Sequence, residues 1–119
     1  MKLWKYSGTI LSLTGGIHVA FAIIQNWNIY KVFFSPGWVD PIGNDIQKEL
    51  SFWFMLAGVL LILFGQTLQH YIKREGYPAP LFLGYALLVV SAVGCVIIPL
   101  SGFWLFIPQA LIILFARRE

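Results

Sequence analysis

Charge is what this sequence has least of. Only 11% of its 119 residues are charged, where soluble domains carry roughly 25%. The shortage is also patterned, because no charged residue occurs over residues 6–30, 50–72 or 76–116. Helices on the surface of a soluble domain need a polar face, and runs of this kind leave none, which excludes an ordinary soluble fold. Cysteine is nearly absent: the single Cys95 excludes an internal disulfide and any CxxC redox pair. Acidic residues number five against eight basic ones, a formal charge of +3. The basic residues stand at the ends of the apolar runs and form no nucleic-acid footprint. No metal-ligand set and no cofactor motif is present.

Hydrophobic residues make up 59% of the chain. The first two uncharged runs are 25 and 23 residues and the third is 41. A ~30 Å hydrocarbon layer takes about 20 helical residues per crossing, so the three runs hold four crossings. The first run follows Lys2 and Lys5 as a signal peptide would, but its apolar core far exceeds the 7–15 residues of such a segment. The expected fold is therefore all-α, an integral membrane bundle of four transmembrane helices forming a single domain over residues 1–119. The helices are expected at about 3–28, 45–72, 80–98 and 102–116, with an outer loop over 29–44. In that threading Lys2, Lys5, Lys73, Arg74, Arg117 and Arg118 share one side. The positive-inside rule makes that side cytoplasmic, with both termini on it. Trp4, Tyr6, Trp27 and Tyr30 mark the two interfaces of the first helix. The outer loop, with Val32, Phe33, Phe34, Trp38, Val39 and Ile42, is too apolar to be freely solvated and is expected on the membrane surface or over the helix ends. Asn44 is the expected N-cap of the second helix, with Gln47 as capping-box partner.

Two stripes run along the first helix. Gly8, Ser12, Gly16 and Ala20 recur every four residues, a small-residue surface that lets helix backbones approach closely in lipid. Ser7, Thr14, His18 and Gln25 form a polar stripe within about 40°. The first helix is thus the most enclosed, with its glycines serving packing and His18 facing an interior. An ionisable group inside a membrane is a functional candidate, although a neutral histidine bonded to a backbone carbonyl also satisfies the pattern. Glu49, one turn inside the outer end of the second helix, is the candidate partner, with Trp53 just below it. Glu49 also fits a first-turn acid complementing the helix dipole. In the fourth helix, Pro108 is expected to bend the chain and free the Trp104 carbonyl, and Gln109 to face inward.

Three function classes fit these residues. One is a lipophilic small-molecule pocket in the outer leaflet lined by His18, Glu49, Trp53, Trp104 and Gln25. The second is a structural subunit whose Gly8–Ser12–Gly16–Ala20 stripe contacts a membrane partner or a second copy. The third is an acid/base enzyme such as an isomerase, although no nucleophile accompanies His18 and Glu49. Small multidrug exporters carry a carboxylate in the first helix, and this run has none. A shared bis-histidine haem is disfavoured because His18 and His70 lie roughly 15–20 Å apart in depth.

The motifs TGGIH (Thr14–His18) and SGFWLFIP (Ser101–Pro108) resemble those of small bacterial four-helix integral membrane proteins of unknown function, over nearly the whole chain. That resemblance implies the fold and residence in a bacterial inner membrane, in contact with lipid. A fainter likeness is to the sterol-isomerase and sigma-2-receptor type of membrane fold, whose members hold lipophilic amines or sterols among their helices.

Overall fold

Two long apolar helices lie against each other because glycines on both remove the side chains between them. In the computed structural model, which describes residues 2–34 and 40–118, these are α1 (Ser7–Phe33) and α2 (Ile46–Glu75). A second, shorter pair is α3 (Leu81–Ile97) and α4 (Phe106–Leu114). Single turns of 3₁₀ helix precede α1 (Leu3–Tyr6), precede α4 (Gly102–Leu105) and follow it (Ala116–Arg118). No strand occurs among the described residues.

The α1–α2 contact is set by four glycines. A β-carbon on Gly15 would lie 2.7 Å from the Ile62 amide nitrogen and 2.8 Å from the Gly58 carbonyl oxygen. One on Gly8 would overlap the backbone of Gln69 and Gly65, and one on Gly65 the backbone of Ser12. Gly58 in turn leaves room for Val19 and the His18 ring. The register is antiparallel, with Gly8 opposite Gly65 and Gly15 opposite Gly58. The expected stripe is therefore only half used. Gly8 and Ser12 face α2, whereas a β-carbon on Gly16 would meet no neighbouring atom within 4 Å, and Ala20 is exposed. Gly15, not Gly16, is the packing glycine.

Helix ends follow local chemistry. Asp45, one residue beyond the expected Asn44, caps α2, its Oδ1 accepting from the Gln47 amide at 2.9 Å and the Lys48 amide at 3.4 Å. Gly76 ends α2 in the left-handed region, φ 71°, where a residue without a β-carbon carries no steric cost. α1 continues five residues past the expected end at Asn28 but kinks at Asn26 (φ −122°, ψ 26°). There the Asn26 side-chain amide donates to the Ala22 carbonyl at 3.4 Å, in competition with the backbone ladder. Pro108 is the third residue of α4, where a first-turn amide is dispensable. It therefore makes no mid-helix bend, and the Trp104 carbonyl is not freed but accepts from the Phe106 amide. The expected surface position of Trp38 and Val39 lies outside the described residues.

The second hairpin closes in the same way. Gly94 on α3 receives the Phe103 ring, and Gly84 receives Leu114, 2.9 Å from where a β-carbon would be. The hairpins join chiefly through α1 and α4. Their shared core gathers Trp4, Leu11, Leu68, Ile72, Ala79, Ile113 and Ala116, all but one near the end that carries Lys5, Lys73 and Arg117. The opposite end is splayed. The radius of gyration is 16.7 Å, against about 13.5 Å for a compact soluble chain of this length. Large apolar side chains are bare, Leu100 at 99% and Phe34 at 89% exposure.

Gly65→Leu is expected to destabilise the fold by ~3 kcal/mol or more, the upper range for overpacking, because it meets backbone that cannot rotate away. Gly16→Leu should change stability by less than ~0.5 kcal/mol, as surface substitutions do. Thermal unfolding of both variants in detergent checks the assignment.

Candidate functional site

The glycine-lined approach brings each backbone within one side chain's reach of the other helix. Four polar side chains exploit this. Gln69 on α2 places its amide between Lys5 and Thr9, accepting from the Thr9 amide at 2.9 Å and donating to the Lys5 carbonyl at 2.7 Å. In a regular α-helix those two groups would bond each other. The inserted amide explains why the chain is 3₁₀ up to Tyr6 and α-helical from Ser7. Further along, the Ser12 hydroxyl donates to the Ile62 carbonyl at 3.0 Å and His18 Nε2 to the Phe54 carbonyl at 2.8 Å. Near the far end the Tyr30 hydroxyl donates to the Ser51 carbonyl at 2.7 Å.

The bond from His18 defines its state. A carbonyl only accepts, so Nε2 carries the proton, and the ring also stacks on Phe54 with centroids 4.0 Å apart. Glu49 is five residues from Phe54, about 7.5 Å along the axis and about 140° round the helix. Its side chain is exposed and makes no hydrogen bond or ion pair among the described residues. Trp53 is 55% exposed and meets Phe52 edge-on. Trp104 donates its indole N–H to the Pro99 carbonyl at 2.8 Å, fastening the α3–α4 turn, and Gln25 is exposed. Among the described residues, no hydrogen bond, ion pair or ring contact thus joins any two of the five expected site residues.

A groove does form, farther toward the splayed end. Ile23, Trp27, Tyr30, Phe33, Phe34, Phe52 and Met55 enclose about 260 Å³ with a wholly apolar wall. The Tyr30 hydroxyl is turned to Ser51, so that residue offers the groove its ring. A sequence reading has little to find such a site by, since its lining is chemically ordinary.

A buried polar link joins the hairpins. Gln109, buried on α4, donates through Nε2 to the Thr14 hydroxyl at 2.6 Å and to the Leu105 carbonyl at 3.0 Å. Thr14 in turn donates to the Ile10 carbonyl at 3.0 Å. These partners fix the amide orientation, because only the nitrogen end can donate twice. Oε1 is enclosed without a donor. Gln109 therefore faces inward as expected, toward a residue of the polar stripe. Among the described residues, no three His, Cys, Asp or Glu side chains converge.

The chain belongs to a family of unknown function (DUF6463), whose model matches residues 2–119. No curated protein and no solved structure matches it. The geometry of His18 makes a specific forecast. His18→Ala should cost about 0.6 kcal/mol, the average for hydrogen bonds between membrane helices. Its effect should add to that of Glu49→Gln within about 0.5 kcal/mol, as for independent sites. A double-mutant cycle by thermal unfolding checks this, and strong coupling would mean that the two side chains meet.

Proposed function

We propose that the chain is a multi-pass integral membrane protein that crosses the bilayer four times, with both termini cytoplasmic, and holds a linear lipophilic chain in the aromatic groove near the outer surface. The membrane reading is carried by the bareness of the two long helices. Leu3–Phe33 and Ile46–Glu75 are long and apolar enough to span, yet only 33% and 17% of their apolar windows are buried within the chain. A core helix of a soluble protein would be mostly covered. Apolar surface on this scale in water would drive association, whereas in lipid it is matched to its surroundings.

The helix register supports a consistent depth for every element. From Tyr6, just past Lys5, to Gln25, just before the kink, α1 rises about 30 Å, the thickness of the hydrocarbon layer. The same two levels on α2 fall near His70 and near Glu49. α3 rises about 26 Å. The segment Gly102–Arg118 rises about 29 Å, because its 3₁₀ turns add ~2.0 Å per residue against 1.5 Å in α-helix. On this frame the groove straddles the outer boundary, where tryptophan and tyrosine settle in membrane proteins.

The binding reading is carried by the groove itself. Its ~260 Å³ is just under the ~300 Å³ from which small-molecule sites begin, which suits a slender chain better than a fused-ring ligand such as a sterol. With no polar wall it selects by shape alone. The partner-binding alternative has one observation in its favour, the open space at Gly16 on the exposed side of α1.

Two measurements test this reading. Reporter tags at both termini and in the turn 76–80 should report the cytoplasm, and a tag at Asp40 the opposite side. Met55→Trp, which fills the groove, should remove an acyl-chain adduct seen in native mass spectra of the wild-type protein while keeping its unfolding temperature. An external terminus overturns the topology, and an adduct unaffected by the substitution overturns the groove.

A further inference from the structure

The end of the molecule where the helices converge is also the end where its cations collect. Trp4, Ile72 and Ala116 belong to one core, and each is followed immediately by a cation: Lys5, Lys73 and Arg117. Three separate elements thus station a positive charge around one small patch. Lys2 precedes the first of them and Arg74 follows the second. All five are exposed. Arg74 pairs with Glu75 at 3.6 Å. Lys5 lies over the Trp4 ring at 6.0 Å, which tethers it beside the core. Lys2, Lys73 and Arg117 face no acidic partner among the described residues. The other end has the opposite balance, with Asp40, Asp45 and Glu49 against Lys31 and Lys48. The excess is local and is not a general solubility device.

We propose that this basic end is a headgroup site for anionic glycerophospholipids, with Lys2, Lys5, Lys73 and Arg117 engaging the phosphodiester and the flanking apolar residues receiving its chains. The inference rests on the membrane reading above. What selects a lipid over a free phosphate or an acidic macromolecule is the chemistry next to the cations. Tyr6 and Tyr71 are exposed, and each stands on the helix side of a cation in the chain, Tyr6 between Lys5 and α1 and Tyr71 within α2 before Lys73. Charge above and hydrocarbon below is the pattern of an amphiphile. Cations drawn from several segments also distinguish the patch from a polybasic tail: the packing of Trp4, Ile72 and Ala116 fixes the backbone from which Lys5, Lys73 and Arg117 project. Each lysine or arginine near a membrane surface contributes enough to change affinity about fivefold.

The test uses the full chain in neutral detergent micelles, titrated with phosphatidylglycerol or phosphatidylcholine, with unfolding temperature and native mass spectra as readouts. Phosphatidylglycerol should half-saturate the stabilisation at a concentration at least about fivefold lower than phosphatidylcholine. Lys73→Gln and Arg117→Gln should each raise that concentration about fivefold, Lys73→Arg should retain it, and added salt should narrow the preference. Lys48→Gln, at the other end, should leave it unchanged. Equal affinity for the two lipids overturns the proposal, as does an equal effect of Lys48→Gln and Lys73→Gln. Stabilisation by soluble glycerol phosphate to the same extent overturns it in favour of a free-anion site. A protein that stays monodisperse in water without detergent overturns instead the membrane reading on which the proposal rests.

Discussion

The close approach of α1 and α2 at Gly8, Gly15, Gly58 and Gly65 is the contact from which the rest of the molecule follows. In the lipid setting proposed above, no hydrophobic drive presses two helices together, so packing and hydrogen bonds must do it. Removing four side chains from one seam supplies both. The backbones come near enough for close van der Waals contact, and polar side chains then reach across to backbone partners. Gln69, Ser12, His18 and Tyr30 all do so, and each bonds a backbone group on the facing helix. The contact therefore needs no complementary polar pair in the sequence of the two helices. It needs glycines at matched positions and one polar residue near each.

The second hairpin is tied to this frame mainly at one end. The core around Trp4, Ile72 and Ala116 fixes the basic end, and Thr14 with Gln109 adds a buried link farther along. Beyond that level α3 and α4 turn back at Ile98–Gly102 while α1 continues to Phe33. The long hairpin is left uncovered at its far end, and the aromatic groove lies there. Tight packing at the charged end and an open groove at the other are thus two results of one mismatch in length. The headgroup site and the chain-binding groove proposed here occupy the two ends that this mismatch makes different.

Much of the architecture was legible in the sequence because charge depletion over twenty residues is a property of composition. The four helices and most of their limits came from it. The seam was only partly legible. A four-residue spacing drifts about 40° per step, whereas a seven-residue spacing drifts about 20° the other way. The spacing of seven from Gly8 leads to Gly15, and that from Gly58 to Gly65. Matching those two repeats would have chosen Gly15 over its neighbour Gly16. The pairing of His18 with Glu49 failed for a different reason: depth along a helix was available from the sequence, but direction around it depended on the partner. Gly58 opens the path by which the His18 ring reaches the Phe54 carbonyl. Asn44 and Asp45 are both good caps, and only the chain direction at the turn decides between them. The groove was not legible, since seven apolar residues among so many carry no distinguishing mark.

Two glycine pairs, in this register, hold the long hairpin together. Nuclear Overhauser spectra of glycine-labelled protein in lipid nanodiscs test this arrangement most directly. Cross-peaks are expected to link Gly8 with Gly65 or its Gln69 neighbour, and Gly15 with Gly58 or Ile62, with none from Gly16 to α2. Cross-peaks from Gly16 to α2, with Gly15 silent, would place the seam on the other face of α1 and contradict it.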